Sequence, residues 1–180
     1  LTVLAISLDS INERVHDVIR GRAGAHQRVM QAIRYLNQDR GRLQNIVIQT
    51  IIMQSNLEGL LDLVMWADDN KLSLSFMAVC RPNMVPVDSQ WYKKDELGFL
   101  WPQDTIRVQA MLDRLIDFKS KGHRIDNPIR QLEKFKLYFS VPEKFVKETP
   151  CSLGEKIIHV NHHGDIYLCC EMDSIGNIKK

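Results

Sequence analysis

The chain has 180 residues, with 24 Lys and Arg against 22 Asp and Glu (formal charge +2), 44% apolar and 26% charged residues. That suits one domain plus a modest appendage with an ordinary core, and it excludes wholesale disorder and collagen-like structure. The balanced charge gives no electrostatic case for nucleic acid, no stretch approaches the ~18 uninterrupted apolar residues of a membrane span, and no secretory leader is visible. The expectation is a cytoplasmic protein with no nucleic-acid and no membrane partner.

Residues 2–9 read as a short buried strand, apolar and β-branched, ending in Ser7-Leu8-Asp9-Ser10. A chain that opens inside such a run is expected to continue a longer protein. Asp9 or Ser10 is suited to cap the segment after the strand. A helix is predicted over 25–38, with Val29, Ile33 and Leu36 on one face. Residues 45–53 form a second, nearly all-apolar strand, covered on both faces. Ser55 or Asn56 then caps a helix whose apolar stripe is Leu57, Leu60, Leu61, Val64 and Met65. A third strand is predicted over 72–79. The fold class is α/β with parallel strands, part of a (β/α) barrel or of a doubly wound sheet.

Residues 80–102 have no clear period and hold Pro82, Pro86, Pro102, Trp91 and Trp101. The three rings Trp91, Tyr92 and Trp101 suit either a substrate mouth or a cover over the strand ends. A helix is predicted over 103–120, with Ile106, Val108, Met111, Leu112, Leu115 and Ile116 largely on one side. Pro128 opens another to about residue 138. From 150 on, strands over 156–161 and 165–169 flank a bend at Gly164.

Ligands of α/β proteins gather at the carboxyl ends of parallel strands. Ser7 and Asp9 end the first strand, Asn56 comes after the second and Arg81 after the third. Asp9, Ser10, Ser55 and Asn56 also read as helix caps. Arg20-Gly21-Arg22-Ala23-Gly24 precedes a helix, and its backbone N–H groups with a guanidinium suit a carboxylate or a phosphate. Cys80 reads as a packed thiol before it reads as a nucleophile. The four cysteines are Cys80, Cys151, Cys169 and Cys170. In Cys151-x12-Gly164-x4-Cys169 the bend returns the second thiol towards the first. Three readings stay open: iron–sulfur ligation, zinc with one of His159, His162 or His163, and inert packing or a disulfide. His162 and His163 read as solvated turn residues, and Cys170 as core.

Ser7-Leu8-Asp9-Ser10, then His16-Asp17-x-Ile19-Arg20-Gly21-x-x-Gly24, then the apolar strand ending near Asn56 resemble the middle of a radical S-adenosylmethionine enzyme, with Ser10 in place of the family's Gly. Leu100-Trp101-Pro102 through Lys121-Gly122-x-x-Ile125-x-Asn127 resembles the segment after that family's last barrel strand. Cys151, Gly164, Cys169 and Ile175-Gly176-Asn177-Ile178 resemble the opening of its auxiliary-cluster extension, SPASM or twitch. The resemblance implies the C-terminal part of a partial (β/α)6 barrel over 1–127, and a linker helix with a truncated extension over 128–180. It implies S-adenosylmethionine held by Ser7, Asp9, Arg20 and Asn56, and a [4Fe-4S] cluster on Cys151 and Cys169. An external electron donor would start radical chemistry on a peptide, protein or small-molecule substrate. The family's Cys-x3-Cys-x2-Cys loop is not in the chain, so the 180 residues are expected to be an inactive part of a larger enzyme. The alternative is a non-catalytic α/β binding module with a zinc-stabilised Cys/His hairpin. A third reading is a barrel fragment that binds phosphate near Arg20.

Overall fold

The computed structural model describes residues 3–38, 41, 45–80, 90–93, 100–142, 158–168 and 174–179. Three parallel strands, β1 (Val3–Ser7), β2 (Asn45–Ile52) and β3 (Ser73–Ala78), form one sheet in that order. Register runs Ser7 beside Gln49 and Gln49 beside Ser75. Connections pass through α1 (Glu13–Arg20), α2 (Ala25–Gln38) and α3 (Leu60–Asp69). This is the parallel α/β arrangement that the apolar runs predict. The described residues show three strands of it and not a barrel.

Burial explains which face the helices take. Ile46, Ile48, Ile52, Leu74 and Phe76 point to one side of the sheet and are buried together with Leu60, Leu63, Val64 and Ala67 of α3. At ~25 cal/mol per Å² of apolar surface, this cluster is the main stabilising term. The opposite face carries Ala5, Ser7, Gln49, Ser75 and Met77, all partly or fully exposed. A hydrogen bond from Asn45 to Ser73 (3.1 Å) crosses this face. Met65, expected in the apolar stripe of α3, is exposed instead. So is Ile106, expected on the packed side of α4 (Thr105–Ser120). Each sits beside the buried stripe, at a position where the helix turns to solvent.

The free edge of β3 is closed by a device the sequence does not advertise. Leu74 donates to the Arg124 carbonyl and accepts from the Asp126 N–H, both at 2.8 Å. The Asn127 side chain then takes the next position: its Oδ1 accepts the Phe76 N–H (2.6 Å) and its Nδ2 donates to the Phe76 carbonyl (2.9 Å). A buried amide side chain thus stands in for a strand residue. Beyond it, α5 (Ile129–Ser140) packs on α4, with Gln109 reaching Ser140 (2.9 Å). Asp104 caps α4 by accepting the Arg107 N–H.

Trp91, Tyr92 and Trp101 are buried and pack edge-on or tilted against one another, and Trp101 packs against Tyr138 and Phe139. The Tyr138 hydroxyl donates to the Val79 carbonyl at the end of β3 (2.8 Å). Among the described residues the rings pack over the end of β3. A second sheet of β4 (His159–Val160), β5 (Asp165–Tyr167) and β6 (Gly176–Asn177) is antiparallel, with Gly164 at φ +91° in the bend. Its third strand, only two residues long, adds to the hairpin that the sequence predicts.

Replacing Asn127 with Ala leaves the Phe76 N–H and carbonyl buried without partners, at about 1–3 kcal/mol. The expected outcome is a lower thermal midpoint together with lost hydrogen-exchange protection at the Phe76 amide. An unchanged Phe76 exchange rate contradicts the edge-closing role.

Candidate functional site

Asp9 lies just past β1 and is 1% exposed. Three of its polar atoms are hydrogen-bonded and the fourth is ion-paired. Its N–H donates to Nδ1 of His16 (3.1 Å). Its carbonyl accepts from Nδ2 of Asn56 (2.9 Å). Its Oδ1 accepts the Ile51 N–H (3.3 Å). Its Oδ2 lies 2.7 Å from Nη2 of Arg20. The residue therefore joins β1, β2, α1 and the turn after β2.

Local sequence explains why α1 delivers two of those partners. Asn12 caps the helix by accepting the Val15 N–H (3.2 Å), so the cap is neither Asp9 nor Ser10 as expected. Gly21 ends it at φ +61°, where its N–H meets the Val18 carbonyl and the Arg22 N–H meets that of Asp17. That is a glycine-terminated helix end with its last carbonyls satisfied. Between these stops His16 and Arg20 stand four residues apart, one above the other on the same face. Both reach Asp9.

His16 is 1% exposed, and its Nδ1 accepts a hydrogen bond, so the imidazole is neutral with its proton on Nε2. Burial holds its pKa below the ordinary value of 6.5 and outweighs the pull of the Asp9 carboxylate; Arg20 and His26 push the same way as burial. The His26 ring lies 6.0 Å away, edge-on.

Arg20 is the accessible member, with its side chain 34% exposed. Its contact with Asp9 is a charge contact: Oδ2 has no aligned hydrogen bond despite the short separation. The guanidinium offers five N–H donors in a fixed fork, so donors remain for a second oxyanion. Ser7 is exposed on the open face of the sheet, in one row with Gln49 and Ser75.

Asn56 belongs to this cluster by a different route from the cap expected of it. It makes no capping bond. Its Oδ1 accepts the Met53 N–H (2.9 Å) and its Nδ2 donates to the carbonyls of Asp9 and Ile51 (2.9 and 2.8 Å). Both donors and the acceptor are spent on tying the two strand ends together.

The 20–24 turn also departs from expectation. The backbone N–H groups expected to meet an external anion meet Asp17. Its carboxylate accepts from Gly24 (2.6 Å) and His26 (2.8 Å), at the start of α2. The positive end of the α2 dipole is thus filled by an anion from the chain itself. The phosphate reading of this turn loses the Gly24 and His26 backbone donors, while the guanidinium groups of Arg20 and Arg22 remain.

Of the expected site residues, the structure brings together Asp9, Arg20 and Asn56, and places Ser7 two residues before Asp9 on the open face. Cys151, Cys169, Cys170 and Arg81 lie outside the described residues. Cys80, expected to pack, is exposed. His162 and His163 are exposed at the bend. Among the described residues no group of three His, Cys, Asp or Glu side chains is placed to hold a metal ion. No helix among them is long and apolar enough to cross a membrane. A shallow groove beside α1, lined by Asn12, Arg14, Asp17 and Arg22, contains neither Asp9 nor Arg20.

No family model matches the chain, and no curated protein matches it. Among solved structures, its fold is similar to that of SuiB from Streptococcus suis in a crystal structure bound to S-adenosylmethionine. Identity is 13% and the TM-score 0.57, over 93% of this chain and 36% of that one. The chain therefore spans about a third of that protein's length, and the likeness is one of fold.

The Asp17 cap makes a pH-dependent prediction. The His26 N–H, and with it that of Gly24, holds the Asp17 carboxyl below its ordinary value against the opposing effect of desolvation. The folded state then holds this proton more weakly than the unfolded state. The stabilisation is complete above the ordinary Asp value and is lost as pH falls through the lower folded value. Replacing Asp17 with Asn is expected to lower the thermal midpoint at pH 7, with the gap to wild type closing below about pH 4. A gap independent of pH contradicts a charged cap.

Proposed function

We propose that the chain is part of a radical S-adenosylmethionine enzyme, and that these residues hold the carboxylate end of S-adenosylmethionine at the strand ends. The observation that carries the reading is the Arg20 guanidinium, fixed by buried Asp9 yet one-third exposed, beside the carboxyl ends of β1 and β2. A similar fold in a protein bound to S-adenosylmethionine supports it.

The residues fit that ligand in chemistry. A carboxylate pairs with the free N–H groups of a planar guanidinium, and two oxygens meet two donors. The exposed Ser7 hydroxyl supplies a neutral partner. Asp9 keeps Arg20 in place, and Asn56 and Ile51 keep Asp9 in place. S-adenosylmethionine held there would be the source of a carbon radical for hydrogen abstraction, its sulfonium bond cleaved with one electron from an external donor. Among the described residues no group of three His, Cys, Asp or Glu side chains forms a ligand set for a cluster. Cluster ligation by Cys151 and Cys169, an auxiliary extension over 128–180, an external electron donor, and a peptide, protein or small-molecule substrate belong to the same proposal. Neither the open Ser7, Gln49 and Ser75 row nor the buried aromatic rings select among those substrates.

Titration calorimetry with S-adenosylmethionine tests the reading. Arg20→Ala is expected to weaken binding roughly 10–100-fold, the range for one hydrogen bond to a charged group. Because that change strands the buried Asp9 charge, an Asp9→Asn/Arg20→Ala double variant is the companion. Its thermal midpoint recovers while its affinity stays low. Wild type that binds no S-adenosylmethionine, or a double variant that binds like wild type, overturns the reading.

A further inference from the structure

We propose that His16, as a neutral imidazole, is a positioning residue for the Arg20 anion site: it fixes Asp9, Asp9 fixes Arg20, and protonating it releases the guanidinium. The inference rests on the reading of Arg20 as a carboxylate site. It adds a residue that makes no contact with the ligand carboxylate and acts only through its neighbours.

The helix α1 grips Asp9 at two points. His16 takes the backbone N–H and Arg20 takes the carboxylate. The two side chains share one helix face and meet at one residue. Protonation changes both contacts. Nδ1 turns from acceptor into donor, and the Asp9 N–H then faces another N–H across 3.1 Å. The new donor lies 3.9 Å from Oδ2 of Asp9, the oxygen that Arg20 already occupies. Two cations then share one carboxylate oxygen, and the repulsion of Arg20, which already holds the His16 pKa down, acts in return on the guanidinium and weakens its hold on Oδ2. The contact that gives way is the one without an aligned hydrogen bond, which is Arg20 with Oδ2.

The ionisable groups that face His16 are Asp9, Arg20, Asp17 and His26. Asp17 is occupied by the N–H groups of Gly24 and His26 at the start of α2. Burial holds the His16 pKa below its ordinary value, so the device acts on the acid side of that value. A ligand that needs neutral His16 loses affinity as pH falls through the folded His16 value. The limiting slope for one linked proton is about tenfold per pH unit.

The experiment has a part that needs no ligand. In the full-length protein, 15N NMR is expected to show His16 as the Nε2–H tautomer with a midpoint below 6.5. The Arg20 side-chain N–H signals are expected to shift with the same midpoint. In His16→Asn, whose Oδ1 occupies the place of Nδ1 and does not titrate, the Arg20 signals stay flat over the same acid range. Arg20 signals indifferent to the His16 titration overturn the proposal, as does a midpoint at or above 6.5. The second part measures S-adenosylmethionine affinity over the same range. Wild type is expected to lose affinity in acid relative to His16→Asn, and His16→Ala to bind weakly at every pH. Matching profiles for wild type and His16→Asn remove the positioning role and leave the carboxylate site standing. Shared titration of His16 and Arg20 with no binding at any pH leaves the coupling standing and removes the functional reading.

Discussion

A carboxylate as deeply buried as Asp9 survives only if its charge is paired and its oxygens are satisfied, because the loss of hydration costs several kcal/mol per ion. The arrangement around the strand ends answers the charge in full and the hydrogen bonding at Oδ1, while Oδ2 has the ion pair alone. Arg20 supplies the opposite charge, the Ile51 N–H fills the other oxygen, and Asn56 and His16 secure the backbone on either side. Such a pair contributes little net stability compared with apolar packing. What it does contribute is a guanidinium whose position is set from below while its outer donors stay available.

The second charged group in this region works in the opposite sense. Asp17 fills the start of α2 from within and so removes the helix end as an anion site. Of the two features of the 20–24 turn that suit an external oxyanion, the backbone is therefore closed and the guanidinium open. What the turn offers an outside anion is the exposed Arg20 side chain, the Gly24 and His26 backbone donors being held by Asp17.

The strands are legible in the sequence because their signal is local. Runs such as Asn45–Ile52 are apolar and β-branched, and no helical spacing competes with them. The α1 helix is not legible as an element: in its eight residues only Val15, Val18 and Ile19 are apolar, and Val18 is exposed. It stands on its Asn12 cap and Gly21 stop, which are local, and on its grip on Asp9 and the packing of Ile19 against the core, which need the fold. The four-residue spacing of His16 and Arg20 is the one signal that points to a shared face. Asn56 reads as a cap because its sequence position before a helix is that of a cap. Its side chain turns to the strand ends because three unsatisfied backbone groups there outweigh one at the helix start. Asn127 is a similar case, since pairing with Phe76 depends on the chain returning to β3 across the residues between them. Met65 and Ile106 show the limit of counting apolar residues without knowing which arc of the helix is covered.

A crystal structure of the protein grown with S-adenosylmethionine tests the central claim most directly. The account predicts the ligand carboxylate on the Arg20 guanidinium, with the Asp9 pair and the His16 bond to the Asp9 N–H intact. A ligand bound away from Arg20, or an Arg20 that abandons Asp9 to reach it, contradicts the account.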